Sequence, residues 1–291
     1  MVSARGGCQS REPGRESMFT CKEYKKAATL EEAWQLNQKR SNLLIGGMLW
    51  VKMGHRSVGT VIDLSDLGLD TIEETEEEFR IGCMVTLRQL EKHEGLNAYT
   101  NGAICESVRH IVGVQFRNTA TVGGSIFGRF GFSDVLTMML ALDSYVELYK
   151  GGVIPMSEFV SRKRDRDILV RIIIRKRPGS FAYQSMRNTK TDFPVLAVAA
   201  GRIDGRLFIS IGARPMRAVQ LVTDAKNAAD AGLPAGVLET ISEGGKITPE
   251  QAKALGEYAA GAVAVGTNLR ASAQYRQELI RVLVKRACLA L

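Results

Sequence analysis

The stretch Thr121-Val-Gly-Gly-Ser-Ile-Phe-Gly-Arg-Phe-Gly-Phe-Ser-Asp134, continuing as Val135–Asp143, is the most informative part of the chain. Thr119–Ile126 reads as a short strand broken by Gly123-Gly124, because a β-branched apolar run stops at residues that favour tight turns. Ser133 and Asp134 stand where an N-cap belongs, and Val135–Leu142 behind them is an apolar helix. A second pair, Gly46-Gly47, follows another short apolar run, Asn42–Ile45. Lacking Cβ atoms, such pairs let backbone N–H groups face a concavity and let a diphosphate come close. Two of them on separate lobes can hold a dinucleotide between them, and each alone also fits an ordinary turn. Neither matches G-x-G-x-x-G, so a Rossmann site is not indicated.

Outward from these loops the chain alternates short strands and helices. Phe19–Tyr24, Val58–Leu64 and Phe79–Gly82 read as strands, and Tyr145–Tyr149 with Val153-Ile154 as a hairpin about Gly151-Gly152. Thr29 with Glu32 forms a capping box for a helix from Leu30 to about Lys39, and Thr86 with Gln89 forms another. Asn101 to about Ile111 is expected to be helical. Val195–Ala200 fits helix or strand equally, whereas Arg206–Ile211 alternates as a strand after the Asp204-Gly205 turn. From Asp224 the chain is Ala-rich and helical, with Thr248, Pro249 and Gln251 marking a helix start. The polar segment 1–17 reads as a disordered extension, with Met18 as the natural start. The expected domains are 18–178, with lobes of about 18–70 and 71–178, and 179–291.

Net charge is +8, from 39 Lys plus Arg against 31 Asp plus Glu, and it is spread along the chain. Its densest stretch is Arg162-Lys-Arg-Asp-Arg166, without any groove-reading or base-stacking element, so no nucleic-acid partner is expected. That stretch fits a solvated loop, or a docking face for an acidic partner or a phosphate-bearing electron acceptor. The five cysteines contain no C-x-x-C pair, which argues against zinc or an iron–sulfur cluster held by this chain and against a disulfide framework. No signal peptide and no membrane span are visible, and a cytoplasmic protein is expected. His55, His93 and His110 stand singly, Trp34 and Trp50 fit the core, with Trp50 close enough to the first loop to stay open, and no catalytic triad is present.

The run Thr121–Asp134 resembles the second flavin loop of the FAD-binding (medium) subunits of the xanthine dehydrogenase and carbon monoxide dehydrogenase family of molybdenum hydroxylases. There, T-V-G-G-N is followed nine residues on by an aspartate and then an apolar helix ending in L-D-A; here Ser125 replaces the Asn and Leu142-Asp143-Ser144 closes the helix. Leu43–Trp50, Arg80–Glu91, Ile154–Phe159, Ala271–Arg276 and Arg286-Ala287 resemble further family segments in the same order. The resemblance implies an α+β fold, with a two-lobed FAD-binding domain of the vanillyl-alcohol-oxidase-like (PCMH) type followed by a smaller α+β domain. It implies non-covalent FAD, wrapped by Leu43, Leu44, Ile45, Gly46, Gly47, Met48, Leu49 and Trp50 and by Thr121, Val122, Gly123, Gly124 and Ser125, mainly through backbone N–H groups. Asp134 is implied to accept from FAD hydroxyls, with Ile111 and Leu169 lining the flavin. Gln184 is implied as a further cofactor-site residue, near a position that is often Lys in relatives that reduce NAD. The first loop departs from the family's G-G-T-D or G-G-H-S at Met48-Leu49, so binding there must rest on the backbone.

The implied function is electron transfer from two-iron two-sulfur clusters on a small partner to NAD or another acceptor, with molybdopterin on a large partner, in a heterotrimer. No catalytic residue and no metal ligand is assigned to this chain. A self-contained flavin oxidoreductase on the same fold and a flavin-free assembly or scaffold module remain open as alternatives.

Overall fold

Three sheets organise the computed structural model, which describes residues 18–223, 233 and 236–291. The extension expected over residues 1–17, and the beginning of the Ala-rich segment expected after Thr223, lie outside the described residues. Strands β1 (Thr20–Lys26), β2 (Leu43–Ile45) and β3 (Ser57–Asp63) form a parallel sheet in the order β1-β3-β2. Parallel strands of one sheet need crossover connections, and helix α1 (Leu30–Asn37) supplies the one that leads from β1 to β2, on the far side of β3. Thr29 caps α1 by accepting from Glu32 N at 3.1 Å. The Glu32 carboxylate returns to Ala28 N rather than Thr29 N, so the expected capping box is displaced by one residue.

The second sheet is antiparallel, in the order β4-β5-β8-β6-β7. Its strands are β4 (Ile72–Glu74), β5 (Glu78–Gly82), β6 (Ser144–Leu148), β7 (Gly152–Pro155) and β8 (Leu169–Arg175). Ile172, Ile173 and Ile174 are all buried, so the central strand β8 is covered on both faces. Between β5 and β6 run α2 (Leu87–Lys92), α3 (Glu94–Tyr99), α4 (Ala103–Val108), α5 (Val114–Arg117), α6 (Val122–Gly128) and α7 (Asp134–Met139); α8 (Met156–Ser161) precedes β8. Thr86 and Gln89 form the expected capping box on α2.

Thr119–Ile126 is not a strand. Thr121 is the N-cap of α6, its hydroxyl accepting from Gly124 N at 3.1 Å. The Val122 and Gly123 N–H groups donate to the carbonyls of Val85 and Cys83, both at 2.8 Å. These contacts satisfy the backbone without a sheet partner, and a lone bridge between Thr86 and Thr121 is the remnant of strand character. The helix expected over Asn101–Ile111 is shorter, as α4, and starts after Gly102 at φ 77°.

The third sheet is a meander of β9 (Gly179–Arg187), β10 (Pro194–Ile203), β11 (Arg206–Gly212) and β12 (Val219–Thr223). Helices α9 (Val237–Ser242), α10 (Pro249–Ala262) and α11 (Ala273–Leu289) follow, and α11 packs on α10 and β10. The ambiguous Val195–Ala200 is the heart of β10. It shows no alternation because both faces are buried: Ala197 and Ala199 join the core under α7, while Leu196, Val198 and Ala200 join the core under α10 and α11. Arg276 on α11 is fully buried and holds the preceding loop to β10, donating to the carbonyls of Val195 (2.9 Å), Gly266 (2.7 Å) and Ala271 (2.7 Å) and to Asn268 Oδ1 (2.6 Å). No helix among the described residues is long and apolar enough to cross a membrane.

Candidate functional site

A cleft of about 590 Å³ lies where the β2–β3 loop meets the α5–α7 stretch, with the β9–β10 turn forming one wall. Its size falls within the ~300–1,000 Å³ of small-molecule and cofactor sites. Of the residues expected to meet a cofactor, Leu43–Trp50, Ile111, Thr121, Gly123, Gly124, Ser125, Asp134 and Leu169 line it. Val122 is buried in the core instead, and Gln184 sits on β9 opposite Val198, away from the lining.

The glycines divide by what surrounds them. A Cβ on Gly46 would collide with the Thr121 hydroxyl, and one on Gly47 with the Thr119 carbonyl. At Gly123 it would lie 2.6 Å from the Cys83 carbonyl oxygen. Close packing therefore requires these three, against a side chain at Gly46 and against backbone at Gly47 and Gly123, and Gly46-Gly47 is where the β2–β3 loop meets the α5–α6 segment. Gly124 differs: it is exposed on the cleft, and an added Cβ would meet only Thr121 Oγ1, at 3.1 Å.

The two loops also differ in the N–H groups they offer. Those of Val122, Gly123, Gly124 and Ser125 all donate within the protein. Those of Gly47, Met48 and Leu49 have no protein acceptor among the described residues, and Met48 turns into the left-handed region at φ 57°. Arg40 and Arg56 are exposed at the edge of the cleft and make no ion pair among the described residues.

The basic run is less free than its sequence suggests. Arg162 pairs with Glu158, Arg164 bonds the Gly128 carbonyl, and Arg166 donates to the carbonyls of Asn37, Lys39 (2.6 Å) and Asn42 (3.3 Å). Arg164 and Arg166 line the cleft, and Arg166 clamps the α1–β2 turn of the first lobe to the segment leading into β8.

Asp134 is the buried charge of the site, 3% exposed at the start of α7. Tyr183 donates to its Oδ1, and Arg187 Nη2 donates to the same oxygen at 2.7 Å. Burial pushes the carboxyl upward from the ordinary aspartate range, while the Arg187 charge and both hydrogen bonds oppose that shift. The Tyr183 hydroxyl is pushed well up, first by burial and then by Asp134.

Aromatic rings form the other wall. Trp50 is 40% exposed rather than a core residue, because it sits at the cleft mouth against Phe132 (5.4 Å), Phe193 (5.4 Å) and Phe116 (6.5 Å). Phe130 stacks on Phe132 at 5.1 Å. Trp34 is partly buried against the main core, with Lys150 over its ring. His93 caps α3, and His110 lies 3.6 Å from Glu106. Among the described residues no group of three His, Cys, Asp or Glu is placed to hold a metal. Sequence reasoning missed Arg187, Asp192, Phe116, Phe130, Phe132 and Phe193. The spacing of Phe127, Phe130 and Phe132 between glycines was a visible signal for the aromatic wall; Arg187, 53 residues from its partner, gave none.

The chain matches the family described as "FAD binding domain in molybdopterin dehydrogenase" over residues 17–176. It is 24% identical over 284 residues to the nicotine 6-hydroxylase medium subunit of Paenarthrobacter nicotinovorans, covering 90% of this chain and 94% of that one. To the xanthine dehydrogenase FAD-binding subunit of Escherichia coli O157:H7 it is 28% identical over 298 residues, covering 92% and 95%. Among solved structures, a chain of carbon monoxide dehydrogenase from Hydrogenophaga pseudoflava superposes with a TM-score of 0.78 at 20% identity, covering 92% of this chain and 96% of that one. The expected α+β, PCMH-type fold is thereby established. The chain belongs to the family of FAD-binding domains of molybdopterin dehydrogenases.

Proposed function

We propose that the chain is the FAD-binding medium subunit of a molybdenum hydroxylase. It relays electrons from two-iron two-sulfur clusters on a small partner subunit to NAD or another acceptor, while a large molybdopterin-binding partner acts on the substrate. The observation that carries this reading is the cleft at the β2–β3 loop, with N–H groups that have no acceptor among the described residues on one side and a buried carboxylate on the other. When bound, FAD supplies a redox centre that takes up and releases electrons singly or in pairs.

The chain's own residues fit that group. The Gly47, Met48 and Leu49 N–H groups, with Arg40 and Arg56, which make no ion pair among the described residues, provide donors and positive charge for a pyrophosphate. This arrangement offsets the missing Thr-Asp pair of the first loop with backbone donors and two guanidinium groups. Gly124 leaves the opposing surface without a Cβ, so a chain of ligand atoms can lie against α6. Asp134 accepts a hydroxyl of the ribityl or ribose portion. Trp50, Phe132 and Phe193 shield an aromatic ring system from water. None of these roles is a proton transfer or a nucleophilic attack, in keeping with a subunit that holds a redox group.

The test is an absorbance spectrum of the purified chain, repeated on the supernatant after acid precipitation. Flavin bands released as FAD are the expected result, and they also establish non-covalent binding. Met48-Leu49 favours a second reading, a flavin-free scaffold module, which a colourless chain that takes up no added FAD would establish instead.

A further inference from the structure

Asp134 and Arg187 form a nearly dry ion pair, with side chains 3% and 7% exposed, and both line the cleft. A carboxylate taken from water is costly unless a counter-charge comes with it. Arg187 is the cation in contact with Asp134, and it arrives from the end of β9, in the third sheet. Its Nη1 donates to the Asp192 carbonyl at 2.6 Å, while its Nε is buried with no partner among the described residues. The guanidinium is thus oriented for Asp134 rather than for its own full hydrogen bonding.

A second layer fixes that orientation. Asp192 Oδ1 accepts from Arg270 Nη2 at 3.0 Å and Nε at 3.3 Å, and Asn188 Nδ2 donates to the Arg270 carbonyl at 3.4 Å. The Arg270 guanidinium also lies 4.8 Å from the Phe193 ring, and the loop that bears it is held by buried Arg276. A continuous chain of contacts therefore runs from α11 to the cleft.

We propose that Arg187 is the positioning residue of the cleft: supported by Asp192 and Arg270, it holds Asp134 as a charged acceptor for a hydroxyl of the ligand's polyol chain. The identity of the ligand rests on the FAD reading above. Tyr183, on the same strand, supplies a second donor to Oδ1 but no charge. The remaining charges nearby are Glu106 on α4, whose field reaches Tyr183, and Lys190, which with Arg187 and Arg109 acts on His110. His110 is held below its ordinary value, first by burial, and is therefore neutral above pH 6.5. Removing Arg187 takes away the charge that opposes burial at Asp134 and leaves hydrogen bonding, with Tyr183 foremost, as the only counterweight, so the carboxyl binds a proton more readily and is a weaker acceptor at the acid end of the range.

The test is FAD affinity of the full chain, by flavin fluorescence, from pH 6.5 to 9. The wild type is expected to give a flat profile. Arg187→Gln should bind about tenfold more weakly at pH 6.5 and recover toward pH 9, a tenfold change corresponding to one unit of proton affinity. Arg187→Lys should restore the flat profile. In an Asp134→Asn background, Arg187→Gln should add no further loss. Profiles for Arg187→Gln that run parallel to the wild type, or an equal further loss in the Asp134→Asn background, would overturn the proposal. Should Arg187→Gln not fold, Tyr183→Phe serves in its place, with a smaller loss that is again greatest at pH 6.5; a uniform loss, or none, overturns the proposal equally. A wild type that binds no FAD at any pH refutes the FAD reading instead. The carboxyl carbon resonance of Asp134 in the ligand-free chain then decides the inference, which predicts a higher titration midpoint in Arg187→Gln and fails if the midpoint is unmoved.

Discussion

Replacing Gly124 by Ala separates a glycine kept for packing from one kept for a ligand. Gly124 is the third residue of α6, where Ala is favoured over Gly by about 1 kcal/mol. Against that gain, the new methyl lies 3.1 Å from Thr121 Oγ1, the hydroxyl that caps the helix, and a cap of this kind contributes about 1 kcal/mol. The two effects nearly cancel, so Gly124→Ala should melt within about 4 °C of the wild type. Gly123→Ala is the internal comparison. Its methyl meets the Cys83 carbonyl oxygen at 2.6 Å and Cys83 Cβ at 2.7 Å, an overpacking that costs about 1–3 kcal/mol. The ligand face responds in the opposite sense. A methyl standing in the path of FAD costs about 1.4 kcal/mol or more of binding, about tenfold in affinity. Thermal melts of both variants, followed by FAD titration of each, complete the experiment. Gly124→Ala binding FAD as tightly as the wild type would refute the assignment of this surface to the ligand. A large loss of stability in Gly124→Ala would refute the packing argument.

Three further outcomes follow from the same structure. Glu31 on α1 accepts from Lys150 at 2.8 Å and from Tyr149 at 2.7 Å, which lowers its carboxyl to about 2, so its contribution is complete above pH 4.5 and is lost as pH falls toward 2. The melting-temperature gap between wild type and Glu31→Gln should accordingly narrow across that window, and a gap independent of pH would count against the pairing. Burial pushes Cys83 and Cys288 up to about 12, so at pH 8 a thiol reagent should modify exposed Cys21 quickly and reach those two only on unfolding, as peptide mapping can establish. Arg276→Met removes one buried and three part-buried hydrogen bonds made by a charged donor and should cost about 3 kcal/mol or more in denaturant unfolding, with a loss below about 1 kcal/mol contradicting its role as the clamp on β10.

What could be read from the sequence follows the range of the interactions concerned. The helix starts at Thr86 and Thr248 were legible because each capping box closes within four residues. The first glycine pair was legible as a loop, but its partner was not visible: only the fold brings Thr119 and Thr121 against it. Thr121-Val122-Gly123-Gly124 misled because Thr and Val favour strands and Gly interrupts them, whereas the deciding contacts come from the Cys83 and Val85 carbonyls. Val195–Ala200 stayed ambiguous because a strand shared by two cores has no polar face to betray its period. Trp50 stayed open between the core and the first loop because hydrophobicity fits both, and the fold seats it among aromatic rings at the cleft. Asp134 was found through its family spacing, yet its counter-ion, 53 residues away, left no local trace.

The bond between Arg187 and Asp134 also bears on inheritance. The family match ends at residue 176, and the arginine that neutralises its buried aspartate lies beyond that end. The part of this chain matched by the family and its C-terminal meander are therefore not independent cassettes. A hybrid joined near residue 178 must bring a matching cation at the end of β9, or it carries an orphaned acid at the heart of the cleft.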